Sequence, residues 1–112
     1  MDVRTSEHNG VAIAVIRGSI DVVNSEQLQA TLLELVRNGK RRLLLDLAQV
    51  DYVSSAGLRV FLAVAKELKA EGGHLRFCSL AKPVKQVFDL TGVSFRVNLY
   101  DTREAALMDF SA

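Results

Sequence analysis

A chain of 112 residues is long enough to close one hydrophobic core and too short for two, so a single domain over residues 1–112 is expected. Its 14 basic and 13 acidic residues leave a net charge of +1, which supplies no global field to draw in nucleic acid or an anionic membrane. No apolar run nears the ~20 residues of a membrane span, and Met1-Asp2-Val3-Arg4-Thr5 lacks the apolar stretch of a secretory leader, so a cytoplasmic protein is expected.

In chain order, Val3 to Glu7 and Val11 to Arg17 read as strands around Asn9-Gly10, a dipeptide that supplies positive φ for a tight hairpin. In the second strand Val11, Ile13 and Val15 alternate with Ala12, Ala14 and Ile16, so both faces are apolar, as in a strand inside a sheet. Gly18-Ser19-Ile20-Asp21 breaks that pattern. Leu28, Leu32, Leu35 and Val36 then recur at helical spacing, with Asn24 and Gln27 as a cap pair and Asn38-Gly39 as the stop. Arg41 to Leu47, with Asp46 near its end, reads as a short buried strand, parallel to its neighbour because a helix precedes it.

A second helix is expected from Ser55 to Ala70, its core face carrying Leu58, Phe61, Leu62, Ala65 and Leu68. Val60 and Val64 lie off that face, beside Glu67 and Glu71, and are either a second buried contact or an exposed apolar spot suited to docking. After Gly72-Gly73, His74 to Ser79 alternates as a fourth strand. Pro83 opens a short third helix with Val84, Val87, Phe88 and Thr91, which Gly92 closes. Phe95, Val97 and Leu99 alternate as a last strand, and Asp101 with Glu104 begins a C-terminal helix bearing Leu107 and Phe110. The order β-β-α-β-α-β-α-β-α indicates an α/β domain with a mixed sheet of about five strands packed with about four helices.

The chemistry-bearing residues point away from catalysis. Cys78 is the only cysteine and is expected in the core, and His8 and His74 sit in different strands without metal-ligand spacing. Val53-Ser54-Ser55-Ala56-Gly57 lacks the first glycine of a nucleophile elbow, and no nucleotide-binding glycine motif occurs, so neither an enzyme nor a cofactor is expected. Lys40-Arg41-Arg42 has no interleaved aromatic and reads as a solvated strand start, not a nucleic-acid patch. What remains is Ser55 at the start of the second helix, where unpaired N–H groups and the positive end of the dipole would receive a phosphate. The same position also suits a plain N-cap.

Three segments, in this order and spacing, resemble the STAS domains, and among them the single-domain anti-sigma factor antagonists of bacterial partner switching. They are Gly18-Ser19-Ile20-Asp21; Leu44-Leu45-Asp46-Leu47 with Val50-Asp51-Tyr52-Val53-Ser54-Ser55-Ala56-Gly57-Leu58; and Ala81-Lys82-Pro83-Val84 leading to Leu90-Thr91-Gly92. The resemblance implies a protein whose unphosphorylated form captures an anti-sigma factor that is also a serine kinase with a histidine-kinase-like ATPase fold, freeing a sigma factor. Phosphorylation of the serine matching Ser55 would reverse capture, and a PP2C-type phosphatase would restore it. The family often reads Asp-Ser-Ser-Gly or Asp-Ser-Thr-Gly here; Ser54 replaces the aspartate and is a rival acceptor. Asp21 would contact the partner or serve as a turn or cap residue. Gly57 would admit a partner backbone or seat the helix tightly on a strand. Asp46 would orient the Ser55 loop. A monomer outside its complexes is expected, as is a related adaptor role with a non-sigma output, such as secretion or a signalling enzyme.

Overall fold

Asn9 and Gly10 both lie in the left-handed region, at φ of 50° and 81°, so the expected turn forms and joins β1 (Asp2–His8) to β2 (Val11–Ile20) as an antiparallel hairpin. The computed structural model describes residues 1–111. From β2 onward every pairing is parallel, through β3 (Arg42–Val53), β4 (His74–Cys78) and β5 (Asn98–Tyr100), and the sheet order follows the chain order. Because the sheet grows in one direction, its connecting helices α1 (Ser25–Arg37), α2 (Ser55–Ala70) and α3 (Lys82–Leu90) fall on one face. The C-terminal helix α4 (Arg103–Ser111) covers the other. The expected five-stranded mixed sheet with four helices is therefore the observed architecture.

Strand alternation divides the core accordingly. Ala12, Ala14 and Ile16 of β2 join Leu43, Leu45 and Leu47 of β3 under α1 to α3, while Val11, Ile13, Leu44 and Cys78 meet Ala106 and Phe110 of α4. Phe61, Phe77 and Phe88 tie α2, β4 and α3 together, with edge-to-face pairs at 5.1 and 5.7 Å between centroids.

Both long strands run further than the sequence reading expects. β2 continues through Gly18-Ser19 to Ile20, and β3 continues six residues past Leu47. Between the pairs Val15↔Asp46 and Arg17↔Gln49, and again between Gly18↔Val50 and Ser19↔Tyr52, β3 carries one extra residue. These two bulges replace the two-residue alternation by a three-residue one, so Leu47, Val50 and Val53 are buried with two exposed residues between each. A pattern of that period does not read as strand. Polar side chains pin both bulges: Asp46 Oδ1 accepts from the Ala48 N–H at 3.0 Å, and Ser19 Oγ donates to Asp51 Oδ1 at 2.7 Å.

Several other expectations are corrected. Asn24 and Gln27 form no capping box; Asn24 makes no side-chain cap bond, and the turn before α1 is held by Asp21 instead. Phe95 is not in a strand. It ends a 3-10 turn (Val93–Phe95) stitched by Ser94 Oγ donating to Asp89 at 2.5 Å, and lies 90% exposed, leaving β5 only three residues. Thr102, not Asp101, caps α4 by accepting from the Ala105 N–H at 3.1 Å. Val60 and Val64 are 4% and 0% exposed, which rules out docking through them. The buried face of α2 turns toward α1, which packs along it, and Leu62 and Ala65 are left half-buried at its other margin.

Candidate partner-binding and phosphorylation site

The site lies at the carboxyl ends of β2 and β3, which the bulges carry out of the sheet in step: Ile20 pairs with Val53, and the Ser54 N–H bonds to the Ile20 carbonyl at 2.8 Å. Two short loops therefore share one edge, Asp21 to Asn24 leading into α1 and Ser54 leading into α2.

At the second loop the two serines take different roles. Ser54 is extended, at φ −78° and ψ 167°, and its Oγ accepts from the Gly57 N–H at 3.1 Å, so Ser54 is the N-cap. Ser55 is the first helical residue, with its side chain exposed and its hydroxyl bonded to none of the described residues. The reading of Ser55 as the cap is thus corrected, because the hydroxyl one residue earlier has the extended backbone a cap requires. Among the described residues the N–H groups of Ser55 and Ala56 have no partner, and the first turn of α2 holds no acidic residue. Ser54 therefore caps the helix without adding a charge.

Gly57 is not available to a partner. A β-carbon there would stand 2.7 Å from Ile20 Cγ2 and 3.0 Å from Val53 Cγ1, so the missing side chain seats α2 on β2 and β3. Asp21 is half-buried, its Oδ1 accepting from the N–H groups of Val23 and Asn24 at 2.9 Å, while Asn24 returns bonds to the Asp21 N–H and the Ser19 carbonyl. The network holds Val22 and Val23 outward at 71% and 85% exposure, on the same sheet edge as Tyr52 at 53%. Sequence reasoning passed over Val22 and Val23. The available signal was two consecutive β-branched residues where a solvated turn should be polar.

Asp46 does not orient the Ser55 loop. It is 7% exposed, and its Oδ2 receives two bonds from the Arg103 guanidinium at 2.8 and 3.1 Å, tying β3 to the start of α4. Cys78 is fully buried, and burial pushes its thiol up, with a bond to Ser79 opposing. Among the described residues no group of three or more His, Cys, Asp or Glu side chains is placed to hold a metal, and no helix is long and apolar enough to cross a membrane.

The carboxyl ends of two strands in a small α/β sheet thus carry an exposed serine on a helix start. The STAS domain model matches residues 2–106, and the chain belongs to the STAS domain family. It is 43% identical over 102 residues to the candidate anti-sigma factor antagonist BtrV of Bordetella bronchiseptica, an alignment spanning 91% of this chain and 88% of that protein. An anti-sigma factor antagonist structure from Mycobacterium paratuberculosis superposes with a TM-score of 0.90 at 26% identity, covering 99% of this chain and 94% of that one. The Bacillus cell fate determinant SpoIIAA in its phosphorylated form shares the fold, with a TM-score of 0.75 at 17% identity over 97% of this chain and 99% of that one.

Proposed function

We propose that this protein is an anti-sigma factor antagonist that works as a binary switch. Its unphosphorylated form binds an anti-sigma factor that is also a serine kinase with a histidine-kinase-like ATPase fold, and thereby releases a sigma factor. Phosphorylation of Ser55 blocks binding, and a PP2C-type, metal-dependent phosphatase reverses it. The observation that carries the reading is the division of labour between the serines. Ser54 is engaged as the cap, while Ser55 presents a free hydroxyl at the one end of α2 where a dianion meets unpaired N–H donors.

The energetics suit a switch that alters a surface without disturbing the fold. A phosphate adds about −1.5 to −2 charges. At the start of α2 its interaction with the dipole is favourable, by about 0.3–1 kcal/mol where exposed, so the modified domain keeps its structure. The sheet edge it joins exposes Val22, Val23 and Tyr52 beside the carboxylates of Asp21 and Asp51. Pressing a dianion into a contact that desolvates it costs several kcal/mol, and each ~1.4 kcal/mol is tenfold in affinity.

Affinity capture from source-cell lysate with wild type, Ser55→Ala and Ser55→Asp, with phosphosite mapping on the wild-type bait, tests the reading. Capture of a histidine-kinase-like ATPase by wild type and Ser55→Ala but not by Ser55→Asp, with phosphate on Ser55, is the expected result. Equal capture by all three, or phosphate confined to Ser54, overturns it.

A further inference from the structure

The opposite end of α2 borders a second surface, an open groove of about 870 Å³ whose walls are the last turns of α2, the start of β4 and the segment entering β5. Its floor is apolar, made by Leu62, Ala65, Leu75 and Val97, with the nearly fully exposed Phe95 at its rim. The charged side chains lining it are all basic: Lys66, Lys69 and Arg96, with His74 beside them. The chain has 13 acidic residues, yet none lines this groove, and none of these four basic residues is in an ion pair with a described residue. Arg37, Arg42, Arg59 and Lys82 are likewise exposed without an ion pair to a described residue, whereas Lys40, Arg41 and Lys85 pair with Glu7, Glu71 and Asp89; what sets the groove apart is that its unpaired cations converge on one apolar floor. An unneutralised basic rim over an apolar floor is the complement of an acidic amphipathic ligand.

We infer that this groove binds an acidic, amphipathic segment of a partner protein, a helix or extended strand that lays apolar side chains on Leu62, Ala65, Leu75 and Phe95 and carboxylates against Lys66, Lys69 and Arg96. A small molecule would be enclosed on one side only, whereas ligand pockets surround most of their occupant. A nucleic acid would require a longer basic stripe with stacking aromatics, and here one aromatic stands beside four basic residues in a chain of net charge +1. A helix in a groove fits both the floor and the rim. Lys69 lies 14 residues beyond Ser55 on α2, roughly 21 Å along the axis, so the groove is separate from the serine face and both can be occupied together. The inference does not rest on the Ser55 switch; it makes the domain a two-sided adaptor.

The test is an amide NMR titration of the ¹⁵N-labelled protein with a synthetic 15-residue peptide carrying leucines at helical spacing among glutamates. A version with glutamine for every glutamate and a single-stranded DNA oligonucleotide are run alongside. Expected are shifts confined to residues 62–75 and 95–98. Binding should weaken about tenfold between 0.05 and 0.5 M salt, as screening of exposed charge requires. A Lys66→Glu/Lys69→Glu double variant should lose at least about tenfold, and Phe95→Ala a few-fold, because exposed pairs are individually weak and act here together. All three side chains are exposed, and an unchanged thermal midpoint verifies that each variant folds. No groove shifts at about 1 mM peptide, equal binding of the glutamine peptide, or tighter binding of the oligonucleotide overturns the inference.

Discussion

The two ends of α2 are both seated on the sheet by a glycine, but they rest on different kinds of neighbour. At Gly57 a β-carbon would meet side chains, Ile20 Cγ2 at 2.7 Å and Val53 Cγ1 at 3.0 Å. At Gly73 it would meet backbone, the Arg41 carbonyl oxygen at 2.5 Å, with Leu68 Cδ2 at 2.8 Å. The C-terminal end is also the more tightly terminated. Gly72 is left-handed at φ 77°, its N–H bonds to the Lys69 carbonyl and the Gly73 N–H to that of Leu68, a complete Schellman closure. The N-terminal end has one side-chain cap and unpaired donors. One end of the helix is thus finished by its own backbone, and the other is left open to whatever charge arrives. Lys69 already complements the dipole at the closed end, whereas no carboxylate does so at the open one.

The sharpest way to break this comparison is to add one methyl group at each end. Gly73→Ala drives a β-carbon into the carbonyl of Arg41, the residue just before β3, and that carbonyl also accepts from the His74 N–H at 2.8 Å. A loss of about 3 kcal/mol in urea unfolding is expected, at the upper end for overpacking. Gly57→Ala meets side chains that can shift and regains about 1 kcal/mol of helix propensity, so the net loss should be about 1–2 kcal/mol. Equal losses at the two sites would mean that the backbone at Arg41 yields as readily as the side chains of Ile20 and Val53.

The next effect isolates the cap. Ser54→Ala leaves the Gly57 N–H without its acceptor and should cost about 1 kcal/mol, or ~4 °C in thermal midpoint for a domain of this size. Ser54→Asp should cost almost nothing, since a carboxylate caps equally well. If Ser54→Ala were silent and Ser55→Ala costly, the roles assigned to the two serines would be exchanged.

How far the site could be read in the sequence follows from the same details. The hairpin, α2 to its terminal residues and the first turn of α3 announce themselves through Asn9-Gly10, Gly72-Gly73 and Pro83, each a local device with one dominant backbone outcome. The second half of β3 is illegible because its bulges substitute a period of three for a period of two, and a strand reading depends on that period. The choice between Ser54 and Ser55 as cap is likewise hidden, since both are good caps and only the backbone at Ser54 decides. The burial of Val60 and Val64 depends on where α1 lies, a tertiary fact that the helical pattern of α2 cannot contain. Asp21 carried both of its possible roles in the sequence. The structure adds that its turn bonds hold two valines toward solvent.

The smallest expected stability effect carries the most information about the open end of α2. The Ser55 hydroxyl bonds to no described residue, so Ser55→Ala should change stability by less than about 0.5 kcal/mol. Ser55→Asp should raise it by about 0.3–1 kcal/mol, because the carboxylate fills the charge vacancy at the first turn. Salt separates this from any other cause. At 1 M ionic strength the screening length falls to about 3 Å, and the aspartate's advantage over alanine should vanish while the cost of Ser54→Ala persists. An advantage that survives high salt would show that the new side chain gains a specific hydrogen bond, as a cap does. A disadvantage at low salt would mean that Asp21 and Asp51, which lie at the same strand ends, outweigh the helix dipole there. The phosphoprotein would then be destabilised along with its interface, and Ser55 modification would act on the fold as well as on the partner.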